Sequence, residues 1–491
     1  MKRTLIVGIV ALILAGPLAA GTTPVKDDPG VVSSLRLLEK WVASQIEYRD
    51  QPGVSMGIVH GRDLIWAAGF GMSDRAARTP ATPKTVYRIA SITKLFTSTA
   101  IMQLRDAGKL SLDDPVEKFI PGLKVGDPFP DDLPITIRHL LTHTSGLPGE
   151  AAFPYWTDHE FPTFPAILAA LPSQQKPFAT ETKYRYSNLG LALAGQVVTA
   201  ASGEPYEDYV MKHILEPLGM ADTSVLSLPE GRRGPLAVAY SRRLPDGTRR
   251  ILPFTDSKGL TSAANISSTV EDLARFVAFQ LGDGTAGGTR VLKASTLREM
   301  QRVHWLFPGW KGGRGLGFWV RQFDGKSLVG HGGWVGGYQT QISFIVEDGI
   351  GVIALTNSDD GVPGMYLEQA FRAVGPAILK AAAPEAAPRA ADPAWNVYLG
   401  LYTDPAMWDV EVMLLDGRLY LYNHDYPPED SARGALVELA PVGPKTFRMT
   451  GEDASGDIVV FETGPDGRVT RVKVGENYMF PKARPTGLAK N

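Results

Sequence analysis

A serine and a lysine three residues apart, Ser91 and Lys94, form the most chemically informative pattern in the chain. On a helix this spacing puts both side chains on one face, about 5–6 Å apart at Cβ. Lys94 is the only charged residue between Arg88 and Arg105. An amine held among apolar residues has a lowered pKa, so it can take the proton of a serine hydroxyl and make that serine nucleophilic. The same short pattern also fits a serine at a helix start beside a lysine that reaches solvent.

Five further motifs follow Ser91 and Lys94 in order along the chain. They are Gly108–Val116 (GKLSLDDPV), Ile135–Leu147 (ITIRHLLTHTSGL), Tyr186–Gly190 (YSNLG), Glu216–Met220 (EPLGM) and Gly330–Trp334 (GHGGW). Over residues 30–380 this ordered set resembles the serine β-lactamase-like family, also called penicillin-binding-protein-like. The family includes class C β-lactamases, D-alanyl-D-alanine carboxypeptidases, D-aminopeptidases and related esterases. Five ordered matches favour the nucleophilic serine over the helix-start serine.

The resemblance implies a role for each matched residue. Ser91 is then the nucleophile, and Lys94 helps to remove its proton. Tyr186 acts with Lys94 as general base and then protonates the leaving group, because a cationic neighbour helps a phenol to ionise. Asn188 lies beside the bound acyl chain. The backbone N–H groups of Ser91 and Trp334 form the oxyanion hole.

The third motif departs from the β-lactamase pattern. His331 stands where the family has a lysine, and Gly332 stands where it has a threonine, while Gly333 and Trp334 complete the motif. A lysine is a fixed positive charge that can hold a substrate carboxylate, whereas histidine is mostly neutral at pH 7. Relatives with His-x-Gly at this place are often esterases or peptidases. We therefore expect inefficient hydrolysis of β-lactams.

Three other patterns could carry chemistry but are disfavoured. Ser55 lies in a G-x-S-x-G pattern, yet it falls in the first expected strand with no helix after it, unlike a nucleophile elbow. His139 and His143 are four residues apart, but no H-E-x-x-H motif is present and the family places this segment as a structural turn. The glycine-rich stretch 312–317 lacks the pattern and the strand–helix setting of a phosphate loop.

Aromatic residues cluster in a proline-rich loop at about 145–185 and around the third motif. They are Phe153, Tyr155, Trp156, Phe161 and Phe164 in the loop, and Trp305, Phe307, Trp310, Phe318, Trp334 and Tyr338 near the motif. Aromatic side chains often line apolar clefts for small ligands. Packing within the loops explains them equally well.

The composition excludes several classes of protein. The chain has 491 residues, 44 % hydrophobic and 21 % charged, as is usual for a soluble globular protein. Its formal net charge is −2, so no excess of positive charge attracts nucleic acid. It has no cysteine, which excludes disulfides, thiol nucleophiles and cysteine metal sites. We expect no metal and no cofactor, and a small-molecule or peptide substrate as the partner.

The first residues have the pattern of an export signal. Lys2 and Arg3 precede an uncharged run from Thr4 to Gly21 that ends in small residues. We predict a signal peptide over 1–21, cleavage, no stable membrane insertion afterwards, and a periplasmic or secreted enzyme. An uncleaved anchor is the alternative, because the run is near the lower length limit for a spanning helix. The oligomeric state stays open.

The elements that must position these residues follow from apolar periodicity. We expect helices at 33–47, 89–107, 189–201, 206–215, 270–281 and 365–381, and strands at 54–60, 64–68, 327–330, 338–346 and 351–356. Ser268 and Glu271 fit a capping box before the helix at 270. The predicted α+β domain, 30–380, has an antiparallel sheet with the N- and C-terminal helices on one face, beside a helical subdomain. His331 should lie on the edge strand.

A second domain is expected after an Ala/Pro-rich linker at 381–394. Short β-patterned runs over 395–485 are separated by Asp416-Gly417 and Asp466-Gly467, which are hairpin signals. They predict a small antiparallel, lipocalin-like β-barrel.

The function expected from the sequence is an exported serine hydrolase acting through a Ser91 acyl-enzyme. Its substrate would be an ester or amide, including D-amino-acid peptides. One alternative is a β-lactamase or D-alanyl-D-alanine carboxypeptidase proper. A second is a penicillin-binding sensor that is acylated but turns over slowly, and a third is a ligand-binding module with the C-terminal barrel as its functional part.

Overall fold

The chain divides into two compact units, residues 1–382 and 383–491. The computed structural model describes residues 24–226, 236–383, 392–404, 409–427, 434–451 and 454–483. The predicted signal peptide at 1–21 and positions 384–391 of the predicted linker lie outside these described residues.

A nine-stranded antiparallel sheet organises the first unit. The strands of this unit, β1 to β13 in order, are Gly53–His60, Asp63–Asp74, Thr79–Pro80, Tyr87–Arg88, Ser267–Ser268, Thr285–Ala286, Thr289–Arg290, Trp305–Leu306, Gly312–Arg314, Trp319–Phe323, Lys326–Val335, Tyr338–Ile345 and Ile350–Thr356. The large sheet has the order β3-β2-β1-β13-β12-β11-β10-β9-β8. The first strands therefore pair with the last ones, because β1 is hydrogen-bonded to β13.

Twelve α-helices accompany these strands in the described part of the first unit. They are α1 to α12 in order: Pro29–Arg49, Thr93–Asp106, Ile137–Thr142, Tyr155–Asp158, Phe164–Ala170, Asn188–Ser202, Tyr206–Val210, Glu216–Leu218, Thr261–Ala264, Val270–Leu281, Ala294–Gln301 and Pro363–Ala382. Short 3₁₀ turns lie at Val25–Asp27, Ala90–Ile92, Val116–Lys118, Leu171–Ser173 and Lys258–Leu260, and a π-helical turn at Met211–Leu215.

The sheet is covered on both faces, which explains why its central strand is apolar throughout. All seven residues of β13 are buried. Val352 and Ala354 pack with residues of α1 and α12, whereas Ile353 and Leu355 belong to the cluster that contains α2, α6 and α10. This alternation is the period-two geometry of a strand. The predicted cover of one face by the N- and C-terminal helices is confirmed.

Among the predicted boundaries that differ from the structure are the starts of α10 and α2. The residue that caps α10 is Thr269, whose side chain accepts from the N–H of Asp272, while Ser268 lies in β5. The capping box predicted for Ser268 and Glu271 is therefore wrong by one position. The helix predicted from residue 89 begins as a 3₁₀ turn over Ala90–Ile92, and α2 starts at Thr93.

The second unit is a closed antiparallel barrel, as predicted. Its eight strands, β14 to β21 in order, are Gly400–Thr403, Asp409–Leu415, Arg418–Asn423, Leu436–Gly443, Thr446–Thr450, Ile458–Thr463, Val469–Val474 and Asn477–Lys482. Asp416 and Gly417 both have positive φ, as a two-residue hairpin turn requires. A 3₁₀ helix, Pro393–Tyr398, precedes β14, and the ring of Tyr398 stacks on Phe461 with centroids 4.3 Å apart. Buried side chains of this kind fill the barrel core.

None of the helices in the described ranges is long and apolar enough to cross a membrane.

Candidate active site

The backbone just before α2 holds Ser91 in a constrained turn. Ala90 has φ 48°, a left-handed conformation that is unfavourable for a residue with a Cβ. Ile89, Ala90 and Ile92 are all fully buried, so their packing imposes the turn. The N–H of Ile89 donates to the carbonyl of Ile266, and the hydroxyl of Thr340 donates to the carbonyl of Ile89. Ser91 itself keeps partial exposure to solvent.

The amine of Lys94 is completely buried and is directed at Ser91. Its Nζ lies 2.9 Å from the Oγ of Ser91, 2.8 Å from the Oδ1 of Asn188 and 2.9 Å from the carbonyl oxygen of Ala263. Burial holds the pKa of Lys94 well below its usual range; the charge of Glu150 opposes this and that of Arg314 adds to it. A neutral amine has two N–H groups, which the oxygens of Asn188 and Ala263 accept. The nitrogen lone pair then faces the hydroxyl of Ser91.

A carboxylate fixes the orientation of Asn188. The Nδ2 of Asn188 donates to the Oε1 of Glu150 at 2.7 Å, so its Oδ1 must face Lys94. The hydroxyl of Tyr155 donates to the other carboxylate oxygen. Glu150 was not predicted from the sequence, although it is the only acidic residue between Asp132 and Asp158.

Tyr186 lies one residue before the cap of α6 and faces the lysine. Its ring centroid is 4.9 Å from the Nζ of Lys94 and 4.4 Å from the ring of His143. Burial raises the pKa of Tyr186 above its ordinary value, although a hydrogen bond with Ser91 and the charge of Arg314 oppose this rise. The phenol is therefore protonated in the resting site, and Lys94 alone does not ionise it.

His331 is a buried, neutral acceptor in the third motif. Its Nδ1 lies 2.6 Å from the carbonyl oxygen of Gly332 and donates to it, so the Nε2 is an unprotonated acceptor. This Nε2 is buried and has no hydrogen-bond partner within the described part of the chain. Burial, with the charges of Arg314 and Lys94, holds the pKa of His331 well below its usual range.

The strand that carries His331 lies inside the sheet, so its predicted place on the edge strand is wrong. β11 pairs with β12 over residues 329–335, and β10 covers only residues 326–330 on the other side. From His331 onward the strand extends past the end of β10 and forms a local edge. This geometry exposes the third motif to the cleft as an edge strand would.

Gly333 lets β11 approach the turn that holds the serine. A Cβ at this position would lie 2.1 Å from the carbonyl oxygen of Ile89, which is two residues before Ser91. The next residue, Trp334, is half-exposed and donates through its indole nitrogen to Asp359. A glycine is therefore required for close packing of the motif against the serine turn.

An open cleft of about 840 Å³ brings the predicted residues together. Its lining includes Ser91, Tyr186, Asn188, His331, Gly333 and Trp334, together with Glu150. Lys94 lies beneath this lining and is not exposed. Of the lining side chains in the described part of the chain, Glu150 alone has a formal charge.

Comparison with known proteins identifies the chain. A sequence profile of the family described as Beta-lactamase matches residues 38–374, which is more than half of the protein. The chain belongs to the β-lactamase family. Through this membership it is a serine hydrolase.

The similarity extends to full-length relatives and solved structures. Penicillin-binding protein 4 of Amycolatopsis lactamdurans is 29 % identical over 358 residues, covering 70 % of this chain and 91 % of that protein. The octameric penicillin-binding protein homologue from Pyrococcus abyssi superimposes with a TM-score of 0.62 at 26 % identity, covering 91 % of this chain and 100 % of that one. A D-stereospecific amidohydrolase from Streptomyces sp. has a TM-score of 0.57 at 26 % identity, with 68 % and 97 % covered.

The disfavoured patterns have structural roles in this β-lactamase-family fold. Ser55 is fully buried in β1 and hydrogen-bonds the carbonyl of Thr82 and the hydroxyl of Tyr87. The Nδ1 of His139 accepts from the N–H of Thr136. The Nδ1 of His143 accepts from the N–H of Ser187, which fixes the start of α6 against the site.

The two aromatic clusters contribute unequally to the cleft. Trp156 and Trp334 both line it, with ring centroids 5.4 Å apart, and Trp319 lines it as well. Tyr155 is buried behind them. Trp310 is 82 % exposed and does not line the cleft.

Proposed function

We propose that the protein is an exported serine hydrolase that cleaves ester or amide substrates through an acyl-enzyme on Ser91. The observation that carries this proposal is the geometry of the buried Lys94 amine. Its Nζ lies within hydrogen-bond distance of the oxygens of Asn188, Ala263 and Ser91. When the amine is neutral, the first two oxygens accept its two N–H groups, and its lone pair then faces the hydroxyl of Ser91. This is the arrangement of a general base and a nucleophile.

The proton transfers balance if Lys94 and Tyr186 act in sequence. Ser91 Oγ attacks the carbonyl carbon while its proton moves to the neutral amine of Lys94. The phenol of Tyr186 then gives its proton to the leaving group as the tetrahedral intermediate collapses. The resulting ammonium of Lys94 returns a proton to the phenolate. Water repeats the sequence in the second half-reaction and releases the acid.

The oxyanion hole and the acyl contact complete the proposed machinery. The backbone N–H groups of Ser91 and Trp334 stabilise the negative charge that develops on the carbonyl oxygen. The close approach of Gly333 to the serine turn supports this assignment. Asn188 contacts the acyl chain and orients Lys94.

The charge of the cleft supports neutral or amine-bearing substrates. His331 is neutral, and no lysine or arginine is among the described residues that line the cleft, so none of these residues holds a substrate carboxylate as a fixed cation does. We infer a preference for esters and D-amino-acid amides over β-lactams. The amidohydrolase named among the structural neighbours acts on D-configured substrates, which is consistent with this class.

Two alternatives stay open within the same site. A β-lactamase or D-alanyl-D-alanine carboxypeptidase would need the carboxylate to be held by groups other than a lysine. A penicillin-binding sensor would be acylated at Ser91 and deacylate slowly. The packed core of the barrel argues against the third alternative, a carrier that binds its ligand inside the C-terminal barrel.

A kinetic comparison of three substrates tests the proposed function. We expect p-nitrophenyl butyrate and D-alanine p-nitroanilide to be hydrolysed with a higher kcat/KM than nitrocefin. Ser91→Ala should abolish all three activities, whereas Ser55→Ala, if it folds, should retain them. A burst followed by negligible steady-state turnover would favour the sensor, and a preference for nitrocefin would favour the β-lactamase.

The domain assignment and export complete the proposal. We assign 1–21 to a cleaved signal peptide, 30–380 to the hydrolase domain, 381–394 to a linker and 395–485 to the barrel. The mature enzyme would then be periplasmic or secreted. N-terminal sequencing of the exported protein tests this, and an intact Met1 on it would contradict cleavage.

A further inference from the structure

Arg314 is a buried cation whose polar contacts are not with a carboxylate. It ends β9 and is completely buried. Its Nε and Nη2 donate to the hydroxyl of Tyr184 at 3.2 and 2.7 Å, and its Nη1 has no hydrogen-bond partner in the described ranges. The guanidinium carbon lies 3.7 Å from the ring centroid of Trp319. An arginine stays protonated, and a buried charge acts strongly on its neighbours because little water screens it.

The glycine-rich stretch explains how this arginine comes to lie beside the active site. A Cβ on Gly313 would lie 2.2 Å from the carbonyl oxygen of Trp305. Gly317 has φ +87°, and a Cβ there would lie 2.2 Å from the hydroxyl of Ser98, one helical turn after Lys94. The stretch therefore packs tightly between β8 and α2, and Arg314 is the side chain it carries inward.

Tyr186 faces several titratable groups, and Arg314 is the permanent cation among them in the described structure. The guanidinium carbon lies 5.4 Å from the ring centroid of Tyr186. The other titratable groups around it are Lys94 from α2, His143 after α3, His331 from β11, Tyr184 and Glu150. The negative charge of Glu150 disfavours a phenolate. Burial keeps the two histidines and the resting lysine neutral, since it holds the pKa of each well below its usual range.

We propose that Arg314 is a positioning residue that stabilises the phenolate formed when Tyr186 gives its proton to the leaving group. This inference rests on the proposed function. Arg314 supplies a positive charge to a site in which His331 replaces the lysine of the third motif. The phenol O–H bond breaks, the leaving group takes the proton, and the ammonium of Lys94 restores it. No covalent bond of Arg314 forms or breaks in this step.

The test compares Arg314→Met and Arg314→Lys with the wild type on p-nitrophenyl butyrate. Arg314→Met should lower kcat on the order of 10- to 100-fold, as expected for one partly screened charge at this distance. The acid limb of its kcat/KM profile should move to higher pH, because Arg314 also lowers the pKa of Lys94. Arg314→Lys keeps the charge and should recover part of kcat with the limb unshifted. Repeating the profiles in a His331→Gln background assigns the limb to Lys94.

A double-mutant cycle with Tyr186→Phe separates this role from a structural one. Without the phenol, Arg314→Met should cost much less than it does in the wild type, because groups that act as a unit are non-additive. An equal loss in both backgrounds, with an unshifted acid limb and unchanged melting, would overturn the proposal. If Arg314→Met does not fold, a folded Arg314→Lys with as little activity as Tyr186→Phe overturns it equally. Covalent labelling of Ser91 in the wild-type protein by a fluorophosphonate tests the proposed function separately. If the wild type is labelled, a negative result for Arg314 concerns this inference and not the proposed function.

Discussion

At the scale of single residues, two charges of opposite sign act on the amine of Lys94. Glu150 favours its protonated form and Arg314 disfavours it, while burial has the largest effect and keeps it neutral. The active form of Lys94 is the neutral amine. Activity should therefore be present above the pKa of Lys94 and should be lost as the pH falls through that pKa.

Replacing Glu150 tests this electrostatic balance. Glu150→Gln keeps an acceptor for Asn188 but removes the negative charge, so the pKa of Lys94 should fall further. The acid limb of kcat/KM should then move to lower pH, opposite to the shift expected for Arg314→Met. A pH profile on a neutral ester measures it, and a limb that moves to higher pH would mean that Lys94 is not the group that titrates.

The neutral histidine of the third motif allows a test of substrate selection. His331→Lys should raise the ratio of kcat/KM for nitrocefin to that for p-nitrophenyl butyrate. A fixed ammonium near the substrate carboxylate adds roughly 1–4 kcal/mol of attraction at 4 Å, and the neutral ester gains none of it. Because Gly332 still lacks the threonine hydroxyl, the shift should be partial. His331→Gln is the neutral control, and an unchanged ratio in an active His331→Lys enzyme would show that charge does not select here.

At the scale of elements, the contact between β11 and the serine turn positions the reacting groups. Gly333→Ala would bring a Cβ within 2.1 Å of the carbonyl oxygen of Ile89, which is backbone and cannot move without moving Ser91. Misplacement by about 1 Å can cost about 10²-fold in rate, so we expect a fall in kcat of that order. Steady-state kinetics on p-nitrophenyl butyrate measures it.

The neighbouring glycine provides the matched control for this substitution. A Cβ on Gly332 would meet nothing closer than the carbonyl oxygen of Thr340 at 3.5 Å, which is an ordinary contact. Gly332→Ala should therefore leave kcat much less affected. Equal losses in the two variants would contradict the proposed role of the close approach.

The elements that the sequence predicted well are those whose apolar period is strong. Apolar runs of strand length predicted β1, β12 and β13. The strands at 305–323 were not predicted, because they are only 2 to 5 residues long and too short to show such a period. The cap of α10 is Thr269, one position after the predicted Ser268. Serine and threonine are both favourable N-cap residues, so only the backbone geometry distinguishes the two positions.

Site residues that lie close together in the sequence were predictable from motifs. Site residues that only the fold brings together were not. Ser91 and Lys94 share a turn, and Tyr186 and Asn188 stand together before and at the start of α6, so motifs revealed them. Glu150 reaches Asn188 from a loop, and Arg314 reaches Tyr186 from β9. Neither contact leaves a pattern in the order of residues.

At the scale of the whole molecule, every described site residue lies in the first unit. The second unit has its own barrel core, built around residues such as Phe447 and Phe461. A unit with its own core can fold alone. We therefore expect a chain that ends at Ala383 to fold and to keep most of the rate at which a fluorophosphonate labels it, compared with the full chain. A folded truncated chain that is not labelled would show that the barrel contributes to the chemistry.

The measurement that tests the central claim most directly is the site of covalent attachment. The full-length protein is treated with a fluorophosphonate, digested with trypsin and examined by mass spectrometry, with Ser91→Ala and Ser55→Ala treated in parallel. Label should appear on the peptide that contains Ser91, disappear in Ser91→Ala and remain in Ser55→Ala. Label on Ser55, or undiminished label in Ser91→Ala, would contradict that claim.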